Sequence, residues 1–192
     1  MLDLSHKLKD ELIVGSERYE LDLSFDNVLR VFDMLQDEEI SDEFKPYLAL
    51  VIFTKQELDN FTKYNFEDID TILKEIFQEH IENEKLNSIE YDLAGNPMPE
   101  HKGEEEEQLY SLKFDSDYIF ASFFQAYNID LIEQQGKLHW KKFNALLNGL
   151  PDGTKFVEVI KIRSWKPSKS DSSEYKDHMR KLQRLYELPI DD

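Results

Sequence analysis

The side chains best suited to acid–base or metal chemistry in this chain are five histidines, because the sequence contains no cysteine. They lie far apart in the sequence, at His6, His80, His101, His139 and His178. None of them forms H-E-x-x-H or another spacing that binds a metal. The lack of cysteine also excludes disulfides, thiolate zinc sites and cysteine nucleophiles, and it permits a reducing compartment. We therefore predict no metal site and no cofactor.

Catalytic motifs are missing as well. The sequence has no G-x-G-x-x-G, no Walker loop and no G-x-S-x-G. Acidic residues are so numerous that pairs of carboxylates arise by chance, and no pair stands out. His139 is next to Trp140, but no nucleophile, metal set or acid accompanies it in the sequence. We predict that the protein is not an enzyme.

The charge of the chain is strongly acidic and unevenly distributed. The formal net charge is −18; residues 1–100 hold 9 basic and 25 acidic residues, whereas 137–184 holds 12 basic and 5 acidic ones. This pattern fits an acidic cytosolic protein with a solvated basic helix pair, or a polar molecule whose ends attract each other or a partner head to tail. The basic region also carries Trp140 and Trp165, which suits single-stranded nucleic acid. The net charge and the core-like spacing of the aromatics argue against that function, which stays a minor alternative.

Apolar periodicity predicts a mainly α protein: a helical bundle of about six to seven helices with a short N-terminal β-hairpin. The hairpin is expected at 12–23, with its turn at Gly15-Ser16. The predicted helices have the approximate bounds 25–37, 41–53, 66–83, 115–128, 140–148, 155–165 and 173–187. The β-branched content of 155–165 leaves a strand open there. Ser24, Ser41 and the acids from Asp115 to Asp117 are expected to cap their helices, and Asn128 to close one.

The segment 85–108 interrupts this pattern. It contains the turn-forming stretch 95-GNPMP-99 and the acidic run 104-EEEE-107. More than twenty residues without periodicity are unusual inside a compact domain, so we interpret the segment as an acidic flexible loop or linker. It separates the hairpin and acidic helices of 1–84 from the aromatic-rich helical part at 109–192, and we expect these two parts to pack as one domain.

The sequence contains no segment that looks like a membrane anchor or a leader. The N-terminal MLDLSHKLKDELIV lacks the apolar core of a signal peptide, and the longest apolar segment, 47–53, is too short to span a bilayer. We therefore expect a soluble cytoplasmic protein.

Two neighbouring helices carry the residues that we consider for partner binding. In 113-KFDSDYIFASFFQAYNIDLIEQQ-135, apolar residues cover nearly the whole helix, which is typical of a bundle centre or an assembly interface. The next helix has an apolar stripe that begins at Trp140 and is flanked by His139. The candidate partner-binding residues are Phe120, Phe123, Phe124, Tyr127, His139, Trp140 and Phe143. For each of them, ordinary core packing is the alternative.

The same region resembles a family of phage tail proteins named for gene product fifteen of a Listeria phage. The similarity lies in 117-DYIFASFFQAYNIDL-131 followed by 138-LHWKKFNALLNGLPDGTKFVEVIKIR-163. It is close over 114–163 and looser elsewhere, where the hairpin and the following helix also resemble the family's opening. Lys141 stands where the family usually has a second Trp, and Asn128 where it usually has Gly. Asn tolerates the left-handed backbone nearly as well as Gly, so the turn is expected to persist.

The resemblance implies a role in assembly of a long non-contractile phage tail. The family's genes lie in tail modules near the tape-measure gene, where tail assembly chaperones are encoded. The implied partners are the tape measure protein and other phage tail proteins, with a homo-oligomer left open, and the implied location is the host cytoplasm. A structural component of the virion is the alternative function. The resemblance implies no catalytic residues.

Overall fold

The computed structural model describes residues 4–8, 10–81, 90–91, 97–98 and 109–189. In these residues the chain forms seven α-helices and two pairs of short antiparallel strands. The strands are β1 (Glu11–Val14), β2 (Glu17–Glu20), β3 (Glu90–Tyr91) and β4 (Pro97–Met98). The helices are α1 (Phe25–Gln36), α2 (Lys45–Thr54), α3 (Phe66–Ile76), α4 (Ser116–Tyr127), α5 (Trp140–Asn148), α6 (Lys155–Arg163) and α7 (Ser173–Leu185). The predicted mainly α fold with an N-terminal hairpin is confirmed, and 155–163 is a helix.

The hairpin buries one face and exposes the other. β1 pairs with β2 in the register Leu12↔Tyr19 and Val14↔Glu17, so Leu12 and Val14 point inward and Ile13 points to solvent. The turn needs Gly15, whose φ of +63° is unfavourable for residues with a Cβ. The predicted turn position is therefore confirmed.

The chain divides into two compact units that interleave in sequence. The first unit contains Met1–Glu105 and Gln135–Asn144, and the second contains Glu106–Gln134 and Ala145–Asp192. The boundary falls within α5. We predicted that the segment 85–108 separates two parts of the chain and that these parts pack as one domain; both statements stay predictions. Apart from β3 and β4, the predicted linker lies outside the described residues.

The first unit has its core between α1, α2, α3 and the beginning of α5. All three of the first helices contribute fully buried side chains to this core, among them Val28, Val31, Leu50, Phe53, Ile69 and Leu73. Asn27 is buried among them and donates hydrogen bonds to the carbonyls of Asp22 and Ile52 at 2.9 and 3.0 Å. The chain before α1 is thereby tied to the end of α2.

One predicted cap bond and two predicted helix boundaries in the first unit need correction. Ser24 occupies the N-cap position of α1, but its hydroxyl makes no capping bond, because the Asn27 and Val28 amides bond to the Ser24 carbonyl instead. Ser41 is not the cap of α2, which begins four residues later. Pro46 lacks an N–H and is tolerated in the first helical turn, so the helix starts next to it. α3 ends at Ile76, and a π-helical turn continues to Ile81.

The second unit is built around α4, α6 and α7. Its buried apolar side chains include Ile119, Phe123, Leu131, Leu147, Leu150, Phe156, Val159 and Met179. The hydroxyl of Ser122 accepts a hydrogen bond from the Phe156 amide at 2.9 Å and donates one to the Tyr118 carbonyl, which joins the start of α6 to α4. Asn128 closes α4 in the left-handed conformation with φ of 53°, as predicted.

Asp115 precedes α4 but does not cap it with its side chain. Its carboxylate accepts two hydrogen bonds from the Arg163 guanidinium, at 2.6 and 2.8 Å, and one from the Ser111 amide. Arg163 also donates to the carbonyls of Leu109 and Tyr186. The predicted cap therefore belongs to a buried ion pair that joins α6 to the segment before α4 and to the end of α7.

Candidate functional site

The seven residues predicted for partner binding separate into two groups. His139, Trp140 and Phe143 belong to the first unit, and the four on α4 belong to the second. Trp140 is 1% exposed and Phe143 is 2% exposed, so both lie in the core. The Trp140 indole N–H donates to the Ile81 carbonyl at 3.1 Å, and the Phe143 ring stacks on Phe25 with centroids 5.0 Å apart. These contacts match the core-packing alternative for both residues.

His139 takes part in a polar cluster at the edge of this core. Its Nε2 lies 2.8 Å from Oδ2 of Asp10, and Nδ1 of His80 lies 3.3 Å from the other oxygen of the same carboxylate. The Nδ1 of His139 accepts a hydrogen bond from the Lys141 amide. Because a backbone N–H can only donate, the ring hydrogen of His139 is on Nε2 and points at Asp10.

The cluster lowers the pKa of Asp10. Burial alone raises this pKa, but the hydrogen bond from His139 and the contact with His80 outweigh burial. The aspartate is therefore held ionised between the segment before β1, the π-helical turn and the start of α5.

The same geometry does not suit catalysis. In a general base oriented by a carboxylate, the second imidazole nitrogen is free to accept a proton from a substrate. In His139 the second nitrogen, Nδ1, already accepts a hydrogen bond from the Lys141 amide of α5. The histidine therefore caps the helix and has no nitrogen left for a substrate proton. No group of three or more His, Asp or Glu residues in the described part of the chain could hold a metal ion. Sequence reasoning missed Asp10, because it is one acid among 41 and its partners are distant in sequence.

The α4 group contains Phe124, the one residue of the predicted set whose side chain is largely exposed. Phe124 is 52% exposed, and Phe120, one turn earlier, is half-buried. Their rings are parallel, with an interplanar angle of 11° and centroids 6.4 Å apart. Ala121 is exposed between them. This strip of Phe120, Ala121 and Phe124 is called the α4 face below.

The other two predicted residues of α4 point into the second unit. Phe123 is fully buried and contacts the Tyr127 ring edge-on at 5.7 Å. The Tyr127 hydroxyl donates to the Leu146 carbonyl at 2.9 Å, and burial raises the pKa of this phenol. The inward residues thus fix α4 on its unit, and this fixed backbone presents the α4 face to solvent.

The α4 face combines exposed apolar surface with polar neighbours. Burying one Phe side chain stabilises a complex or a fold by roughly 1.5–3 kcal/mol, and Asp117 and Asn128 supply exposed polar groups on the same side of the helix. An apolar centre with a polar surround is the usual composition of a protein interface.

A search for membrane spans found no helix in the described residues with the length and apolarity that a crossing requires. Comparison with protein families matches residues 8–188 to the family described as bacteriophage Gp15 protein. Comparison with curated proteins and with solved structures found no significant match.

Proposed function

The chain belongs to the bacteriophage Gp15 protein family, and from this premise we propose that it is a chaperone of tail assembly. Membership makes it a phage structural or assembly protein. The proposed finer role is binding of the tape measure protein, of tail-tube subunits or of both, in the host cytoplasm, during assembly of a long non-contractile tail. The proposal assigns no catalytic activity, cofactor or nucleic acid to the protein.

The observation that carries this proposal is the pair of exposed Phe124 and half-buried Phe120 on α4. A tape measure protein is a long helical chain that has to stay soluble until tail-tube subunits surround it. Such a helix offers apolar side chains at spacings of three and four residues, and a helical partner face can pack against them. The α4 face spans one helical turn, so it would cover one pair of apolar side chains, three or four residues apart, on the partner helix.

The charge of the protein supports the same role. A net charge of −18 favours solubility of the protein and of what it binds. An apolar contact of only two or three side chains gives weak and reversible binding, which a chaperone needs in order to release its client.

Co-expression of this chain with its cognate tape measure protein tests the proposal. We expect the soluble fraction of the tape measure protein to rise with the wild-type chain and to fall back with Phe124→Asp. Gln125→Asp is the matched control, because it adds the same charge to the next residue of α4 without removing apolar surface. A tape measure protein that is equally insoluble with and without this chain would contradict the proposal.

A structural role in the virion is the second candidate, because an exposed apolar face suits a permanent contact as well as a transient one. Mass spectrometry of purified particles separates the two functions. Stoichiometric presence of the chain in mature tails would overturn the chaperone role and support the structural one. A shift of single-stranded DNA by the purified protein would contradict both.

A further inference from the structure

The first unit contains an open apolar groove on its surface. It is lined by Glu43, Phe44, Tyr47, Leu58, Thr62 and Phe66, with a cavity volume of about 580 Å³. Phe44 is 57% exposed and Phe66 is 41% exposed. Both stand at helix N-termini, since Phe44 is the N-cap of α2 and Phe66 is the first residue of α3. The Tyr47 hydroxyl donates to the Tyr64 carbonyl, which holds the floor of the groove between these helices.

The surroundings of the groove are acidic. Exposed carboxylates flank each of the three segments that line it: Asp42, Glu43, Glu57, Asp59, Glu67 and Asp68. One of them, Asp42, is neutralised by Lys45 at 2.8 Å. A ligand for this groove therefore needs an apolar side chain to enter it and basic side chains around that residue.

The second unit carries a surface with these properties at the end of α7. Residues 178–186 include Arg180, Lys181 and Arg184, and all three basic side chains are exposed. Arg180 pairs with Asp177 at 3.5 Å, so Lys181 and Arg184 supply the charge of this surface. Leu185 is 70% exposed beside them, although it lies in a helix whose inner side is packed through Met179. We call Lys181, Arg184 and Leu185 the basic knob.

We propose that the basic knob of one copy docks in the acidic groove of a second copy, with Leu185 between Phe44 and Phe66. Two different surfaces meet in such a contact, so a pair of copies keeps one free groove and one free knob. Association is then head to tail and continues to a ring or a filament. Charge complementarity guides the encounter and fixes its orientation. This inference concerns self-association and does not depend on the tape measure protein.

Light scattering after size exclusion tests the inference on the full-length protein. The mass of the wild-type chain should rise above that of one copy with concentration at ~0.05 M salt. It should fall towards one copy at ~0.5 M salt, where exposed charges further apart than ~4–5 Å are screened. The variant Phe44→Ser/Phe66→Ser has no groove, and Leu185→Asn has no knob. Each alone should stay monomeric with unchanged helical circular dichroism.

Mixing the two variants is the decisive step. The Phe44→Ser/Phe66→Ser variant keeps its knob, and the Leu185→Asn variant keeps its groove. We therefore expect 1:1 dimers of the two variants and nothing larger. Ile132→Ser removes a comparable exposed apolar side chain of the second unit and should associate as the wild type does. A monomeric wild-type chain at all concentrations would overturn the proposal. So would association that either variant leaves unchanged, or a mixture that is no more associated than its parts.

Discussion

Breaking the ion pair between Asp115 and Arg163 should strongly destabilise the second unit. The guanidinium and the carboxylate share two hydrogen bonds, and their side chains are 9% and 1% exposed. Replacing Asp115 with Asn keeps the shape but leaves a buried guanidinium without its counter-charge. Loss of one partner of a buried pair costs about 3–5 kcal/mol. We expect the lower end, because Arg163 keeps its bonds to the Leu109 and Tyr186 carbonyls.

Urea unfolding followed by circular dichroism measures this change. With a slope of about 2 kcal/mol per molar urea, a loss of about 3 kcal/mol moves the midpoint down by about 1.5 M. The control is Asp117→Asn in the first turn of the same helix, where an exposed acid contributes about 0.3–1 kcal/mol. An Asp115→Asn midpoint that matches this control would refute the assignment.

A double-mutant cycle tests whether the two residues act as one unit. Arg163→Met removes the same contact from the other side, so the double variant should lose about as much stability as the worse single variant. A double loss equal to the sum of the single losses would mean that the residues stabilise the unit independently.

Three further predictions concern single positions. Phe143→Ala should lower the free energy of unfolding by about 3–5 kcal/mol because it leaves a cavity in the core. Phe124→Ala on the exposed α4 face should change the same free energy by about 0.5 kcal/mol or less. Chemical denaturation of both variants measures the two values. Asn128→Ala should lower the free energy of unfolding by about 1–2 kcal/mol, because residue 128 has a left-handed backbone. Asn128→Gly should cause no such loss, and thermal melts of the two variants compare them. The pKa of Asp10 lies below its ordinary value of 3.8, so the ionised carboxylate stabilises the fold fully above that pH and loses this effect as the pH falls through the lowered pKa. The difference in unfolding free energy between wild type and Asp10→Asn should therefore become smaller between pH 5 and pH 2. A difference that stays constant over this range would contradict the cluster.

The fold class could be predicted from the sequence because its signals are local. The alternation around Gly15 and the stripe of α3 each depend on residues within one element. The cap predictions at Ser24 and Asp115 gave the right positions but the wrong bonds. At Asp115 the partner is Arg163, 48 residues away, and no local pattern contains it.

The candidate site could be predicted only to the level of a helix. The apolar content of α4 indicates that it has more apolar surface than one core face needs. Which face remains exposed depends on the packing partners, since Ser122 and Phe123 face the second unit and Phe124 does not. The groove at Phe44 and Phe66 was missed because its walls come from three separate segments.

Because the two units interleave in sequence, the first unit cannot complete its core during synthesis until the ribosome has made the start of α5. The first unit needs Trp140, which contacts Phe32 and Phe143 and bonds to the Ile81 carbonyl. At about 5–20 residues per second, the ribosome takes roughly 2–7 s to travel from residue 105 to residue 140. During this interval the nascent chain holds the hairpin and α1–α3 without the ring that closes their core. Transiently exposed apolar surface makes a folding chain prone to aggregation, so the soluble yield of this protein should depend on chaperones.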